Sequence, residues 1–405
     1  MFTLLAGACN VEPVGTEARG LGNFDGTACG RGVIISSTGD DYRSVNISLM
    51  GWDGQLLTPS LISSATSNVG LAAPLSGDVL MPSMIQEGEE AVLIDRTNAV
   101  ISFVNLSTAE VRAQLSVATG FGANPHDYVS LTETRAYVSR WGHNASAREQ
   151  SFDAGDDVLI IDPSVPAILG SIDLLNVVAE DPEALPRVDG MTLAGSQLYV
   201  VLGSRYANPL LGGFSWIARV HTATDRVQEA RPLDGLKGCA GVALSPEGAR
   251  LLVSCSGLEI GGEDSAREQS GLVLIDVSDG VLGEEQRFLA SELADGPLGF
   301  SAVFRNDERV IYSSFGEQGG RSDRVFELDL ASRESRELLS GAAFSLGGFV
   351  CTLGCDVCFV ADARSPDAAG SVQRLVAGDN GWLEHWGPHR VDDGIGQPPR
   401  YLAAF

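Results

Sequence analysis

The chain has 405 residues, of which 44% are hydrophobic and only 7% aromatic, and its 48 glycines and 17 prolines supply turn formers along the whole length. The formal net charge is −26. So acidic a surface repels the phosphate backbone of nucleic acids and anionic lipid headgroups, which excludes nucleic acid as the expected partner. The composition favours many short strands joined by turns.

The N-terminal residues read MFTLLAGAC, an apolar run followed by small residues and Cys9. This pattern resembles the end of a lipoprotein signal, in which the cysteine carries the lipid. We therefore assign residues 1–20 to a leader stub and linker, residues 21–405 to a single domain, and lipidation to Cys9. An ordinary N-terminal segment is the alternative. No later segment approaches about 18 uninterrupted apolar residues, so membrane contact is expected only through a lipid anchor.

Short apolar runs separated by turn residues then predict strands along the rest of the chain. The first two units are GVIISSTGDDYRSVNISLMGWDG from Gly32 and GDVLMPSMIQEGEEAVLIDR from Gly77. Five clearer β-hairpins follow, and most of them precede a polar loop and a third strand such as DVLIID or LVLIDV. These hairpins begin at His126, Asp189, Gly241, Gly299 and Gly347.

The units recur at roughly 50 to 60 residues, a spacing typical of solenoids, propellers and arrays. Three or four short antiparallel strands per unit favour a propeller. The C-terminal QPPRYLAAF resembles the opening of the His126 unit and predicts a strand that pairs into the N-terminal blade, near residues 33–36. Such pairing closes the ring and removes an open sheet edge. The predicted fold is therefore an all-β, seven-bladed β-propeller, with six or eight blades as alternatives.

The hairpin GVALSPEGARLLVS, with its SPEG turn at residues 245–248, resembles the repeat of YVTN and surface-layer-type propellers. The whole chain also resembles myxobacterial propeller lipoproteins. Both resemblances imply the propeller fold, and the second agrees with a lipid anchor at Cys9. Neither implies catalytic residues.

The hexapeptide SAREQS occurs twice, at residues 146–151 and 265–270. Each copy follows the predicted second strand of a blade and precedes the third, so the two copies should occupy equivalent loops beside the mouth of the channel. Recent duplication, local loop structure and a shared function are the alternatives.

The cysteines indicate an oxidising compartment. Cys239 and Cys255 are equidistant from the SPEG turn, which places them opposite one another in a hairpin and predicts a disulfide. Cys351, Cys355 and Cys358 have the C-x3-C-x2-C spacing of some iron–sulfur sites, but they interrupt an apolar hairpin, which favours disulfides. If Cys9 carries lipid, an even number of cysteines remains, and Cys29 can bridge to one of these three.

Four histidines are weak candidates for a metal site near the channel mouth: His126, His143, His385 and His389. No dense histidine motif surrounds them, so we predict no metal centre and no cofactor, with calcium and copper as the alternatives. Acidic loops lack the spacing of a calcium loop.

Candidate ligand-binding residues follow the second strands and precede the first strands of the predicted blades. An arginine collar there could accept a carboxylate or phosphate, although inter-blade salt bridges would use the same guanidiniums. The candidate set is His126, Asp127, Arg140, Arg187, Asp189, Arg205 and Arg400.

Two functions are compatible with this sequence. The first is a noncatalytic, monomeric binding or scaffold module that recognises an envelope ligand, glycan or protein on its channel-mouth face. The second is a lactonase-like or metal-dependent redox propeller, with His126, Asp127 and Asp189 performing the chemistry. No G-x-S-x-G elbow or phosphate loop is present, which favours the first. The expected location is periplasmic, outer-membrane or cell-surface.

Overall fold

Seven four-stranded antiparallel sheets, the blades, surround a central channel. The innermost strand of each blade lies beside the channel and faces the innermost strands of the neighbouring blades. The computed structural model describes residues 17–22, 29–67, 69–258, 264–283, 285–352, 354–364 and 370–405. The all-β, seven-bladed propeller predicted from the sequence is confirmed. Blade 1 combines the last strand of the chain with the first three, and blades 2 to 7 each take four consecutive strands.

In chain order the strands are β1 (Val33–Thr38), β2 (Val45–Met50), β3 (Leu56–Ser63), β4 (Val79–Leu80), β5 (Glu90–Asp95), β6 (Val100–Asn105), β7 (Val111–Ser116), β8 (Pro125–Thr132), β9 (Arg135–His143), β10 (Gly155–Asp162), β11 (Ala167–Asp173), β12 (Val188–Ala194), β13 (Gln197–Leu202), β14 (Trp216–His221), β15 (Arg226–Pro232), β16 (Cys239–Leu244), β17 (Arg250–Ser256), β18 (Ser270–Asp276), β19 (Glu285–Leu289), β20 (Leu298–Asn306), β21 (Arg309–Ser314), β22 (Asp323–Asp329), β23 (Ser335–Gly341), β24 (Leu346–Cys351), β25 (Val357–Asp362), β26 (Ser371–Ala377), β27 (Leu383–His389) and β28 (Pro399–Ala404).

Helices are few and short. One α-helix spans Ala290–Leu293, and 3₁₀ turns span Leu175–Val178 and Asp264–Gln269. Across the described ranges, no helix is long and apolar enough to cross a bilayer.

Each blade packs against a neighbour on both faces, so its middle strands are buried on both sides. The third strand of blade 3, β10, reads GDDVLIID, and its first seven residues are buried. The described side chains form seven hydrophobic cores, one between each pair of adjacent blades. This two-sided burial explains why the inner strands read as continuous apolar runs rather than as alternating ones.

The ends of the chain meet inside blade 1. Strand β28 pairs antiparallel with β1, with Leu402 opposite Ile35 and Tyr401 opposite Ser36. The predicted ring closure is therefore confirmed, and the sheet of blade 1 is completed by residues more than 360 positions apart in the sequence.

In each of four successive blades, blades 3 to 6, a polar side chain at the start of the third strand connects the blade to the one that follows it. Each accepts a hydrogen bond from a backbone amide at the beginning of the next inner strand, and we call these bonds junction latches. They run from Arg187 to Asp156 (2.9 Å), from Cys239 to Ser215 (3.0 Å), from Leu298 to Ser270 (2.8 Å), and from Ser345 and Leu346 to Asp323 (2.7 and 3.0 Å).

The N-terminal segment that precedes β1 packs on the propeller. The amide of Arg19 donates to the Ser60 carbonyl in blade 1, and the amide of Leu21 donates to the Leu106 carbonyl in blade 2. The boundary predicted between residues 20 and 21 thus falls inside a packed segment. Cys9 and the leader lie outside the described residues, so their assignment stays a prediction.

Three disulfides join the described cysteines. The predicted bridge between Cys239 and Cys255 is confirmed and links β16 to β17. Cys29 bridges to Cys355, while Cys351 bridges to Cys358 across the β24–β25 hairpin. The C-x3-C-x2-C run is therefore used by disulfides, and the iron–sulfur alternative is wrong.

Strand β4 has only two residues because the chain leaves the sheet and runs into the channel. We call residues 81–89 the channel loop. Its Ser83 contacts Asp127 in blade 3 and Met191 in blade 4, and the amide of Gln86 donates to the carbonyl of Ala404 in blade 1. The loop therefore crosses the channel from blade 2 to blades 1, 3 and 4, at a level between the two faces of the propeller.

Candidate functional site

Five side chains from blades 3 and 4 meet on the upper face, which we define as the face where the inner strands begin. We call them the mouth cluster: His126, Trp141, Arg187, Asp189 and Arg205. An inner strand begins, and the second strand ends, on the same face of an antiparallel sheet. The start of β8 and the start of β12 therefore bring together residues that are far apart in the sequence.

His126 and Asp189 form a close pair. The Nδ1 atom of His126 lies 2.9 Å from Oδ1 of Asp189, although the two residues are 63 positions apart. The imidazole stacks on the ring of Trp141, with centroids 5.8 Å apart and planes 9° apart. Its Nε2 atom is buried and has no hydrogen-bond partner among the described residues. The pair could orient a polar ligand or act as a base.

Arg187 also packs on the ring of Trp141. Its guanidinium lies 4.3 Å from a ring centroid of Trp141, and its Nη1 donates to the Trp141 carbonyl at 3.0 Å. The buried Nε has no partner within the described part of the chain. Burial lowers the pKa of Arg187, and the nearby carboxylate of Asp156 opposes that shift.

Arg205 places a second guanidinium beside the first. Its Nη1 donates to the carbonyl of Pro209 at 3.0 Å. Burial lowers the pKa of Arg205; the charge of Asp189 opposes this shift, and the charge of Arg187 adds to it. Two partly desolvated guanidiniums in one cluster offer hydrogen-bond donors to an anionic ligand, and the carboxylates of Asp189 and Asp156 offset part of their charge.

A second charged group borders the mouth cluster from blades 2 and 1. Arg96 donates two hydrogen bonds to Asp78, at 3.0 and 2.6 Å, and lies 3.5 Å from the hydroxyl of Tyr401. Burial lowers the pKa of Arg96, but Tyr401 and Asp78, with a smaller effect of Asp189, raise it above its usual value. The mouth of the channel is therefore lined by charged groups from four blades.

The other predicted arginines lie away from the mouth cluster. Arg140 is fully buried, and its guanidinium makes two hydrogen bonds to Asp157, both 2.7 Å, and further bonds to Val117, Thr119 and Phe152. This arrangement makes Arg140 part of the supporting framework.

Arg400 lies on the blade 1 side of the mouth. It donates to Asp40 at 2.8 Å and its guanidinium lies 5.4 Å from the ring centroid of Tyr42. It therefore borders the mouth at a different point from Arg187 and Arg205.

Asp127 lies below the mouth cluster and binds the channel loop. Its carboxylate accepts hydrogen bonds from the amide and hydroxyl of Ser83, from the amide of Met191 and from its own neighbour Tyr128, at 2.6 to 2.9 Å. Burial nevertheless raises the pKa of Asp127 to about 6, while these hydrogen bonds lower it. Its oxygens are occupied by hydrogen bonds to the channel loop and to Met191, so His126 and Asp189 remain as the acid–base candidates.

The histidines predicted to gather at the mouth are divided between two places. His143, at the end of β9, lies near the mouth, with Nδ1 2.9 Å from Oδ2 of Asp156. His385 and His389 instead lie on β27, the outermost strand of blade 7, so their predicted position at the mouth is corrected. The reason is that the last long strand ends a blade rather than beginning one. Among the described residues, no three His, Cys, Asp or Glu side chains converge as metal ligands.

The two SAREQS copies lie in equivalent loops, between the second and third strands of blades 3 and 5, as predicted. Their conformations differ. In the first copy, Asp153 accepts hydrogen bonds from the amides of Arg148, Glu149 and Gln150. Most of the second copy belongs to the 3₁₀ turn Asp264–Gln269.

Sequence reasoning missed Trp141 and the channel loop. Trp141 is the first residue after Arg140, so its place at a second-strand end was a usable signal. The channel loop gave no such signal, because its sequence MPSMIQEGE is indistinguishable from an ordinary hairpin connection.

Several solved structures share this fold at low sequence identity. A protein titled "putative 6-phosphogluconolactonase" from Bacteroides fragilis is 12% identical, with a TM-score of 0.55 over 91% of this chain and 96% of that chain. A protein from Lactobacillus plantarum is 10% identical, with a TM-score of 0.56 over 92% and 98%. The WD40 repeats of RRP9 are 11% identical, with a TM-score of 0.52 over 79% and 86%.

No protein-family profile matches the chain, and no curated protein does. Similarity at this level of identity shows the fold alone. The protein is a seven-bladed β-propeller, and its structural neighbours include both a protein titled as a putative 6-phosphogluconolactonase and a set of WD40 repeats.

Proposed function

We propose that the protein is an extracytoplasmic, noncatalytic binding module that recognises an oxyanion-bearing ligand, a carboxylate or a phosphate ester, at the mouth cluster. The observation that carries this proposal is the pair of neighbouring guanidiniums of Arg187 and Arg205, whose pKa values are lowered by burial. An anion between them would relieve their repulsion and their poor solvation.

Binding of small oxyanions tests the proposal. Calorimetry with gluconate and inorganic phosphate, and with glucose as the neutral control, should give saturable binding of at least one anion and none of glucose. Arg205→Gln should weaken that binding by about tenfold, since a charge-assisted hydrogen bond contributes about 1.5–3 kcal/mol. Arg226→Gln, an exposed arginine of β15, removes the same charge elsewhere and should have little effect. Equal losses in both variants would refute the mouth site.

Location forms the second part of the proposal. Three disulfides among the described cysteines support an oxidising compartment. The resemblance of the N-terminal residues to a lipoprotein signal, and of the SPEG hairpin to YVTN-type repeats, supports a lipid-anchored envelope propeller. Cys9→Ser should move the protein from the membrane fraction to the soluble envelope fraction, and retention in the membrane would argue against lipidation.

The second candidate is a lactonase-like hydrolase, favoured by the His126–Asp189 pair and by the name of the Bacteroides neighbour. His126, held by Asp189, would act as the general base that activates water for attack on the lactone carbonyl. Hydrolysis of δ-gluconolactone in a pH-stat, compared with spontaneous hydrolysis, separates the two candidates. Acceleration that His126→Gln abolishes would replace the binding proposal with the enzyme.

A further inference from the structure

A cavity of about 1060 Å³ lies at the lower end of the channel, on the far side of Asp127 from the mouth cluster. Its walls are mainly apolar and come from the inner strands of six blades, with Val242, Val303, Phe349 and Leu402 among the apolar residues. The channel loop supplies another wall, in which Ile85 is 48% exposed despite its aliphatic side chain. The volume is at the upper end of the range for small-molecule sites.

The rim of this cavity is acidic. Glu87, Glu89, Glu90 and Glu133 line it, and among the described residues of the lining Arg112 is the one cation. The guanidinium of Arg112 binds both oxygens of Glu90, at 2.5 and 2.8 Å, so this pair is neutralised.

Three carboxylates remain at the rim. Glu89 lies 3.8 Å from Arg31, while no salt bridge of the described residues involves Glu87 or Glu133, and both of these are exposed. Low-dielectric walls beneath like charges focus the negative potential into the cavity.

A buried polar group also faces this space. Gln86 lines the cavity and is 7% exposed; its Oε1 accepts the amide of Val92, but its Nε2 has no hydrogen-bond partner among the described residues. A buried unpaired amide is costly, so a ligand that carries an acceptor beside its apolar body gains a hydrogen bond from Nε2.

We propose that the lower cavity binds an organic cation with a compact apolar body. The apolar walls would bury the body, and the ammonium group would lie among the rim carboxylates of Glu87, Glu89 and Glu133. The ligand of this site would have the opposite charge to the ligand proposed for the mouth cluster, and the two sites lie at opposite ends of the channel. The two proposals therefore stand or fall separately.

Binding of three compounds with one shared apolar body tests the charge preference: 1-adamantylammonium, 1-adamantanol and 1-adamantanecarboxylate. Calorimetry at low ionic strength should show one saturable site for the ammonium and binding at least about tenfold weaker for the carboxylate, because a unit charge a few ångströms from a rim carboxylate contributes about 1 kcal/mol even in water. Methylammonium, which lacks the apolar body, should not saturate. Equal affinities for the three adamantanes, or saturation by methylammonium, would overturn the proposal.

Matched charge variants locate the site. Glu87→Gln combined with Glu133→Gln should weaken ammonium binding by about tenfold, whereas Glu180→Gln combined with Glu183→Gln, which makes the same change of charge in an exposed loop on the upper face, should leave it within about twofold. Equal weakening would show a diffuse attraction to the acidic surface and refute the site.

Ile85→Arg provides an independent check, since the exposed position should tolerate the change without unfolding. It should abolish ammonium binding and improve binding of the carboxylate. Unchanged ammonium affinity in a folded Ile85→Arg variant would place the site elsewhere.

Discussion

Asp127 illustrates how one carboxylate can hold a channel loop in place. Its oxygens accept amides from β12 and from the channel loop, and burial removes it from water. Because the charged form is poorly solvated there, burial raises its pKa from 3.8 to about 6. The folded protein therefore binds a proton at this site more tightly than the unfolded chain between pH 4 and 6.

This shift predicts a pH-dependent contribution to stability. The stabilisation associated with the raised pKa is fully present below about pH 4 and is lost as the pH rises through about 6, a change of roughly 3 kcal/mol. The free energy of unfolding, measured by urea denaturation for the native protein and for Asp127→Asn, should therefore differ in its pH dependence. The advantage of the native protein should shrink toward pH 7, and a difference that does not change with pH would show that the pKa of Asp127 is the same in the folded and unfolded states.

At the scale of elements, the two SAREQS copies show that six identical residues need not have one structure. The final serine of the second copy, Ser270, is a junction latch that accepts the amide of Leu298. In blade 3 the same function belongs to Asp156, five residues beyond the first copy. The repeated hexapeptide therefore does not carry one shared structural function, since the two loops differ in length and in the distance from the hexapeptide to the third strand.

The junction latches should stabilise the packing of adjacent blades, so the loss of one should lower the free energy of unfolding. Ser270→Ala would leave the buried amide of Leu298 without its acceptor and should lower the free energy of unfolding by about 1–3 kcal/mol. Ser278→Ala, in an exposed turn where the hydroxyl donates to Asp276, serves as the control and should cost less than about 1 kcal/mol. Chemical denaturation compares the two variants. Equal losses would mean that the junction bond adds nothing beyond an ordinary surface hydrogen bond.

At the scale of the whole molecule, two devices join the ends of the chain. Strand β28 completes the sheet of blade 1, and the Cys29–Cys355 disulfide links the segment before β1 to blade 7 across 326 positions. The Cys351–Cys358 disulfide, by contrast, closes a hairpin of 7 positions.

Loop-closure entropy predicts different effects for these bridges. Replacing Cys29 and Cys355 by serine should destabilise the protein by about 3 kcal/mol more than replacing Cys351 and Cys358, because a disulfide constrains the unfolded chain in proportion to the logarithm of the loop length. Thermal and urea unfolding of the two double variants measure the difference. If both variants lose the same stability, the long bridge does not act through the unfolded state.

Much of the fold could be predicted because blade hairpins are local. The SPEG turn sets the register of β16 and β17 from Gly241 to Leu251, and a register shift between Cys239 and Gly241 then brings Cys239 opposite Cys255. The closing strand was recognisable because its sequence is similar to that of another inner strand. Strand patterns and short turns depend on residues within about fifteen positions of one another, and a single sequence shows these directly.

The site was predicted only in outline. His126, Arg187, Asp189 and Arg205 were named as candidates, yet the sequence could not show that His126 contacts Asp189 or that Trp141 contacts both His126 and Arg187. His385 and His389 were placed at the mouth, although they belong to an outer strand. Such contacts depend on how separate blades are rotated about the channel.

The sequence by itself determined the strands, the hairpin disulfide and the ring, because each of these follows from apolar patterning, turn chemistry or similarity between units. Only the tertiary structure decided that the channel loop divides the channel into an upper cationic mouth and a lower acidic cavity. The physical reason is that both sites are assembled from side chains of several blades, and their neighbours are set by packing across blade junctions rather than by order along the chain.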